Sequence, residues 1–220
     1  MTPLHLPNAT ALPNGLACAP ISPPYYPARP VNGGPWPQAL AVSGTWWYEP
    51  KYNGWRALVH IPTRSMFNRQ LNPLSITHEF AAALDALSSL VAGHPEAEWL
   101  DCEALDRRHQ LGKGTLIVLD CPGLLLDYHA RRAWLRALLP EHNWWRPPGA
   151  GKVYLTPASE NASASRNTDT WWADLQTANR DWGVEFYEGL VGKRCDSIYP
   201  RQRRSANLEF TYWKKHRWAY

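Results

Sequence analysis

A lysine beside a tight-turn signal, between two stretches of strand-forming residues, constrains this chain more than any other feature. The stretch reads Glu49-Pro50-Lys51-Tyr52-Asn53-Gly54-Trp55-Arg56-Ala57-Leu58-Val59-His60. The Asn-Gly pair is a strong turn signal, and the alternating residues after it are typical of a strand. A lysine fixed there is a candidate nucleophile if its surroundings keep the amine neutral. Taken alone, the stretch favours a simpler interpretation, a β-hairpin with a solvated Lys51, since lysine is common in exposed turns.

Length and composition allow one large domain or two small ones. The chain has 220 residues, of which 45% are hydrophobic, enough for a sizeable core. Lysine and arginine number 23 against 19 acidic residues, and the formal net charge is +4. This excess is compatible with a polyanionic partner but does not require one. The positive charge concentrates between Lys193 and Arg217, where the simplest interpretation is a solvated face.

The cysteines argue against a disulfide or zinc framework. Cys18, Cys102, Cys121 and Cys195 show no CxxC spacing, and wide spacing fits reduced thiols in a cytoplasmic protein. We expect no signal peptide, because residues 1–30 lack a basic segment followed by an unbroken apolar run. No apolar stretch approaches the length of a membrane span, so no membrane partner is expected.

The order of the predicted elements indicates an α+β fold with mainly antiparallel sheets flanked by helices. Proline-rich residues 1–45 are predicted to be an extended N-terminal extension, followed by a single domain over 46–220. Helices are predicted over 78–91, 127–139 and 168–180, the second with Arg131, Arg132 and Arg136 facing outward. Strands are predicted over 46–49, 55–61, 98–105, 116–119, 152–155, 186–194 and 208–218, with a hairpin over 64–70.

Charged residues recur near the ends of four predicted strands. They are Lys51 with Arg56, Glu103 in Leu100-Asp101-Cys102-Glu103-Ala104-Leu105-Asp106, Glu188 with Lys193 in Glu188-Gly189-Leu190-Val191-Gly192-Lys193-Arg194, and Lys215 with Arg217 in Trp213-Lys214-Lys215-His216-Arg217-Trp218. Each piece alone is weak, because a glutamate in a strand usually lies on the solvated face. Their order and spacing together are far more specific.

In this order the motifs resemble the nucleotidyltransferase domain of ATP-dependent polynucleotide ligases, a superfamily shared with RNA ligases and mRNA capping enzymes. Lys51-Tyr52-Asn53-Gly54-Trp55-Arg56 is similar to the family's KxDGxR nucleophile motif, and Phe67-Asn68-Arg69-Gln70 to the next motif, which carries an arginine. Asp101-Cys102-Glu103-Ala104 is similar to the third motif, and Leu119-Asp120 falls where an aromatic-Asp motif follows. Residues 188–193 match EGxxxK, and residues 213–217 resemble WxKxK. The likeness covers residues 46–218.

The resemblance implies an ATP-grasp-like nucleotidyltransferase fold and a three-step reaction. Lys51 would attack the α-phosphorus of ATP and form a covalent lysyl-AMP. The AMP would pass to a 5′-phosphate on a nucleic acid strand, and a 3′-hydroxyl would then displace it and seal the break. Lys193, Lys215, Arg217 and Mg²⁺ would supply the cations that favour a neutral nucleophile and stabilise charge on the phosphoryl oxygens.

The same resemblance implies which residues bind the nucleotide and the metal. Glu188 would hold Mg²⁺, Glu103 the ribose hydroxyls, and Glu49 would lie near the adenine edge. Leu119, or an aromatic residue nearby, would cover the base. Arg56 and Arg69 would bind AMP or the substrate 5′-phosphate, for which a forked guanidinium is suited, and Arg217 would complete the nucleotide-binding set.

Four departures from the family pattern qualify these expectations. Asn53 stands where most DNA ligases have aspartate, Leu119 where an aromatic residue is usual, and Arg217 where the last lysine of WxKxK is usual. We also expect no OB-fold domain after the last motif. Substrate contact would then fall to the proline-rich segment, to the basic residues of 201–204, or to a partner protein that replaces that domain.

The predicted function is an ATP-dependent DNA ligase with a role in DNA repair, acting on nicked or broken duplexes. DNA is favoured over RNA because the KYxGxR and EGLVxKR motifs look more like the DNA-sealing branch of the family. The alternatives are an RNA ligase of the same fold, a capping guanylyltransferase that uses GTP, and a protein that binds nucleic-acid ends without catalysis.

Overall fold

A computed structural model describes residues 23–34, 36, 45–105, 111–160 and 166–218, with the side chains of 160 and 166–169 left aside. The helices of these residues are α1 (Ala81–Leu90), α2 (Tyr128–Leu138) and α3 (Arg166–Trp182). The strands are β1 (Arg29–Asn32), β2 (Trp46–Tyr52), β3 (Trp55–His60), β4 (Ser65–Phe67), β5 (Trp99–Leu105), β6 (Thr115–Asp120), β7 (Val153–Leu155), β8 (Ser159–Glu160), β9 (Tyr187–Arg194) and β10 (Glu209–Arg217).

The strands form two five-stranded sheets. The first has the order β1-β10-β9-β2-β8, and the second has the order β4-β3-β5-β6-β7. Strand β1 runs parallel to β10 and β7 parallel to β6, whereas the other pairs are antiparallel. The predicted α+β class with mainly antiparallel sheets is confirmed.

The Asn53-Gly54 turn carries the chain from the first sheet to the second. Strand β2 pairs with β8 and β9, and β3 pairs with β4 and β5, so the strands on either side of the turn do not pair with each other. The interpretation as a β-hairpin is therefore wrong. Neither turn residue has the positive φ of a type I′ hairpin turn. Gly54 is needed for a close approach instead, because a Cβ there would lie 2.7 Å from the carbonyl oxygen of Ala104.

Helices α1 and α2 pack their apolar faces on the second sheet, and α3 packs against the first. Asp127 caps the N-terminus of α2, and its side chain accepts a hydrogen bond of 2.8 Å from the Ala130 amide. Arg131 and Arg132 are buried, so their predicted outward orientation is wrong, whereas Arg136 is largely exposed. The guanidinium of Arg131 pairs with the buried Asp120 carboxylate, and that of Arg132 pairs with Glu141 and donates a 2.8 Å hydrogen bond to the Thr156 carbonyl.

Residues 23–34 lie against the folded domain. Tyr25 and Ala28 are buried, and Tyr26 forms an isolated bridge with Gln202 before the chain enters β1. This part of the proline-rich segment is extended and adds a strand to the first sheet. Most of the remainder of 1–45 lies outside the described residues, so the boundary at residue 45 stays a prediction.

No helix within the described ranges is long and apolar enough to cross a bilayer. Cys102, Cys121 and Cys195 are free thiols, whereas Cys18 lies outside the described residues. The cellular compartment stays a prediction.

Candidate active site

A cavity of about 440 Å³ opens between the two sheets. Strands β2, β9 and β10 of the first sheet and β3, β5 and β6 of the second contribute to its wall. The structure brings every candidate site residue of the sequence to this one cavity, namely Glu49, Lys51, Arg56, Arg69, Glu103, Leu119, Glu188, Lys193, Lys215 and Arg217. The catalytic and binding roles assigned to these residues stay predictions.

Lys51 and Glu188 form an ion pair inside the cavity. Lys51 pairs in register with Gly189, but the next residue, Tyr52, pairs with Tyr187. The register shift leaves Glu188 without a partner residue on β2, and a bulge of this kind re-aims a side chain. Arg217 Nη2 lies 3.2 Å from the same carboxylate oxygen, so one acidic group holds two cations.

Lys193 is buried beneath the cavity with its charge fully engaged. Its Nζ lies 3.0 Å from Glu49 Oε1 and 3.5 Å from Asp120 Oδ2, and it donates a hydrogen bond of 2.8 Å to the Leu119 carbonyl. The amine also sits 4.4 Å from the ring centroid of Trp213, within cation–π range. Because two carboxylates surround its ammonium group, the Lys193 side chain has little freedom to move.

Glu49 is buried and accepts a second hydrogen bond, from the hydroxyl of Tyr128. Burial raises the pKa of Tyr128 well above its usual value, and the Glu49 carboxylate raises it further, so this hydroxyl stays a donor. Glu49 lines the cavity, but both bonds tie it to the protein. If Glu49 lies near adenine, as predicted, its carboxylate is already held there by Lys193 and Tyr128.

Asp120 is an element of the site that the sequence did not assign. Its carboxylate accepts bonds of 2.7 and 3.0 Å from Arg131 and also faces Lys193. Burial by itself would raise the pKa of Asp120, but the two cations outweigh it and hold that pKa below its usual value. One sequence signal places Arg131 inward, since Tyr128 and Leu135 lie three and four residues away on the buried face of α2.

Arg56 is held at the cavity wall by a network that the sequence also missed. Its guanidinium forms a forked ion pair with the buried Asp101, which accepts a further hydrogen bond from the Tyr199 hydroxyl. Burial alone would lower the pKa of Arg56, but the Asp101 carboxylate raises it overall and secures the charge. Arg56 Nη2 also donates a bond of 3.2 Å to the carbonyl of Ala28.

Glu103, Arg69 and Leu119 complete the predicted set. Glu103 is half-buried and accepts a 3.0 Å hydrogen bond from the Gly54 amide. Burial raises its pKa, and the nearby Lys51 and Arg56 oppose this shift in part. Arg69 follows β4, is exposed, and has no ion-pair partner among the described residues. Leu119 presents an aliphatic side chain to the cavity and a carbonyl to Lys193.

Lys215 lies beside Arg217 on β10, and several cations surround it. Burial lowers its pKa, Glu209 opposes the shift from a distance of 3.8 Å between Lys215 Nζ and Glu209 Oε1, and Arg29, Arg217 and Lys51 lower the pKa further. This end of the cavity therefore concentrates positive charge, as a site for phosphate oxygens requires.

The described residues include no cluster of three His, Cys, Asp or Glu side chains that would enclose a metal. Glu188 nevertheless offers a carboxylate at the cavity beside Lys51 and Arg217. Mg²⁺ usually binds one or two carboxylates together with substrate phosphates and water. The residues present therefore fit a cation that binds together with phosphates, rather than one held by the protein alone.

No protein-family model matches the chain, and no curated protein matches it in sequence. Solved structures do match it in fold. The chain is similar to a mycobacterial DNA ligase D complexed with ATP and MES, with 22% identity and a TM-score of 0.52 over 88% of this chain and 60% of that one. For the ligase domain of M. tuberculosis LigD the identity is 18% and the TM-score 0.51, over 88% and 59% of the two chains.

A structure named Pmar-Lig_PreS3 matches with 16% identity and a TM-score of 0.56 over 89% of this chain. The chain spans 47% of that protein's length. The predicted resemblance is confirmed at the level of fold: the chain has the nucleotidyltransferase-domain fold of ATP-dependent DNA ligases.

Proposed function

We propose that the chain is an ATP-dependent polynucleotide ligase that seals 5′-phosphate/3′-hydroxyl breaks through a lysyl-AMP intermediate. One observation carries the proposal. Residues from separate motifs, spread from Glu49 to Arg217, line a single cavity in which the candidate nucleophile Lys51 contacts Glu188. Several of these side chains carry like charges, which repel one another. Their convergence is therefore better explained by a common function than by stability.

In the first step, the neutral amine of Lys51 attacks the α-phosphorus of ATP. The N–P bond forms, the bond from that phosphorus to the bridging oxygen breaks, and pyrophosphate leaves with the bonding electrons while the amine gives up a proton to water. In the second step, an oxygen of the 5′-phosphate attacks the phosphorus of the lysyl-AMP, the N–P bond breaks, and the Lys51 nitrogen leaves with the bonding electrons and takes up a proton from water. In the third, a 3′-hydroxyl loses its proton, attacks the 5′-phosphate and expels AMP.

The other site residues bind and neutralise charge. Lys215 and Arg217 face the phosphate oxygens, where positive charge stabilises the transition state of phosphoryl transfer. Glu103 accepts from the ribose hydroxyls, and Arg56 and Arg69 bind phosphate. Mg²⁺, with Glu188 as its protein ligand, would offset the negative charge of the triphosphate. Lys193 supplies a further cation, held in place by Glu49 and Asp120, and Glu49 lies near the adenine edge.

DNA is the proposed substrate, in the form of nicked or broken duplexes. The mycobacterial protein of similar fold described above is named a DNA ligase, and the excess of positive charge suits a polyanion. An RNA ligase of the same fold is distinguished by its substrate. Sealing of matched nicks in DNA, RNA and hybrid duplexes, each with a labelled 5′-phosphate, gives the preference directly.

The test of the proposal is the transfer of label from ATP to protein. The chain is incubated with Mg²⁺ and ATP labelled at the α-phosphate, beside Lys51→Ala and a charge-matched control, Lys113→Ala, whose side chain is 47% exposed. We expect label that survives denaturation on the parent and the control, and none on Lys51→Ala. Absence of label on the parent with ATP and with GTP would overturn the proposal and favour a protein that binds nucleic-acid ends.

A further inference from the structure

The segment before β2 supplies a wall of the cavity that the motifs do not include. Residues 27–30 line the cavity together with Lys51 and Glu188. The Ala28 amide donates a 3.0 Å hydrogen bond to the Tyr199 hydroxyl, and the Ala28 carbonyl accepts from Arg56. Strand β1 then continues parallel to β10. The wall is therefore anchored to the same Arg56 network that borders the cavity, which holds its backbone in place.

Arg29 and Lys215 share one carboxylate at this wall. Arg29 Nε lies 3.6 Å and Lys215 Nζ lies 3.8 Å from the same oxygen of Glu209. The register between β1 and β10 shifts between Pro30 and Val31, so that these consecutive residues pair with Phe210 and Lys214. Because of this shift, Glu209 and Lys215 lie closer together than they would on a regular strand. The side chains of Arg29, Glu209 and Lys215 can therefore meet.

The shared carboxylate is held loosely. Its distances exceed the 2.7–2.9 Å of a well-formed charge-assisted hydrogen bond. The side chains of Arg29, Glu209 and Lys215 are 30%, 40% and 22% exposed, so water competes for each charge. Arg29 has two further contacts, both of 3.3 Å and both to Asn207. An anion that offers several oxygens at this place would make better contacts than Glu209 does.

We propose that Arg29 and Lys215 form a phosphate-binding subsite, which Glu209 occupies until a phosphate oxyanion displaces it. The subsite rests on the proposed function, which brings two sources of phosphate to this cavity, the triphosphate of ATP and the 5′-phosphate of the nucleic acid. It assigns a binding role to a residue outside the motifs. It also predicts opposite effects for two neighbouring substitutions, because Arg29 attracts phosphate and Glu209 competes with it.

The experiment measures equilibrium binding, so it does not depend on turnover. Calorimetry with Mg²⁺ compares α,β-methylene-ATP with AMP, and fluorescence anisotropy compares nicked duplexes that carry a 5′-phosphate or a 5′-hydroxyl. The variants are Arg29→Ala, Arg29→Lys and Glu209→Gln. The charge-matched control is Arg136→Ala, on the outer face of α2 with a side chain 56% exposed.

We expect Arg29→Ala to weaken α,β-methylene-ATP roughly tenfold and to leave AMP within about twofold, as loss of one charge-assisted contact implies. Arg29→Lys should recover part of the affinity, and Glu209→Gln should strengthen binding by about threefold or more. A loss confined to the 5′-phosphorylated nick would equally support the subsite and assign it to the nucleic acid.

Two results would overturn the inference. If the parent binds these nucleotides and nicks but Arg29→Ala binds all of them as tightly as the parent, the subsite is wrong and the proposed function stands. If the parent binds neither nucleotides nor nicks, both the subsite and the proposed function are wrong. Circular dichroism and the binding of Arg136→Ala separate either result from a loss of folding or a general effect of charge.

Discussion

Lys51 donates to Glu188 across neighbouring strands of the first sheet, and Arg217 approaches the same carboxylate oxygen. An amine engaged in this way has no lone pair directed at a phosphorus atom. The pair therefore has to open before Lys51 can react as a nucleophile. Phosphates entering the cavity, with a cation that takes over the carboxylate, would provide the exchange.

The Glu188→Gln substitution tests whether Glu188 matters more as a ligand of the cation or as the partner that restrains Lys51. We expect the rate of label transfer from ATP to protein to fall about 100-fold, because the carboxylate that would hold the cation is lost along with the ion pair. The rate is measured by single-turnover kinetics against Mg²⁺ concentration, with Glu185→Gln as an exposed control. A faster reaction in Glu188→Gln would show that the ion pair only restrains Lys51.

The buried charges around Asp120 are expected to support the fold. Replacing Asp120 by Asn removes the compensating charge from the buried Arg131 and one of the two carboxylates around Lys193. Leaving Arg131 uncompensated in the protein interior costs about 3 kcal/mol of the free energy of unfolding. Urea denaturation measures the loss. Asp196→Asn, which breaks the exposed pair with Arg194, should change stability by less than about 1 kcal/mol.

We expect the protein to lose stability in mild acid because of the buried His142. Burial lowers its pKa to about 4 from a usual value of 6.5, although its hydrogen bond to the Arg146 carbonyl opposes the shift. The unfolded chain therefore binds a proton that the folded chain does not, as pH falls from about 6.5 to about 4. His142 stabilises the fold fully above pH 6.5, and up to about 3 kcal/mol is lost as pH falls through this window.

Thermal or urea unfolding of the parent and of His142→Gln, measured between pH 4 and pH 7, isolates this contribution. The variant should show a shallower fall in stability over the window, whatever its stability at pH 7. His78→Gln is the control, because that side chain is exposed. Parallel pH profiles for the parent and His142→Gln would contradict the assignment.

Gly189 is expected to tolerate no side chain. It has a φ of +142°, and a Cβ at this position would lie 1.9 Å from the carbonyl oxygen of His216. The Gly189→Ala substitution should therefore cost more than about 2 kcal/mol and displace Glu188 from Lys51. Denaturation and label transfer should both be impaired. Gly149→Ala, whose added methyl group would meet its nearest neighbour at 3.4 Å, should leave both nearly unchanged.

The strands could be predicted because they depend on local sequence pattern. The side chains that meet at the cavity could be predicted from the order of the motifs. The stretch around Lys51 forms strands on both sides of its turn, and the motif residues converge as their order predicts. The pairing of those strands could not be predicted. A turn signal such as Asn53-Gly54 specifies a local change of direction, whereas the partners of β2 and β3 come from distant parts of the chain.

The buried arginines show a second limit. Charge favours an outward position for Arg131 and Arg132, and their buried partners reverse this preference. Asp120 and the Thr156 carbonyl come from β6 and the segment after β7, so the local sequence of α2 does not reveal these two partners. Arg29 is a similar case. A proline-rich stretch indicates an extended chain, but it does not indicate which sheet edge that chain will join.

The pairing of β1 with β10 has a consequence for how the molecule forms. It joins segments far apart in sequence, and Arg29 contacts Asn207, 178 positions later. Contacts of such long range form slowly in folding, because closing the long loop between them costs chain entropy before the contacts can stabilise it. On the ribosome, β1 has no partner until β10 has emerged. We therefore expect the nascent chain to expose an open cavity and an unpaired β1 until β10 has emerged, a stage at which the chain is most prone to aggregate.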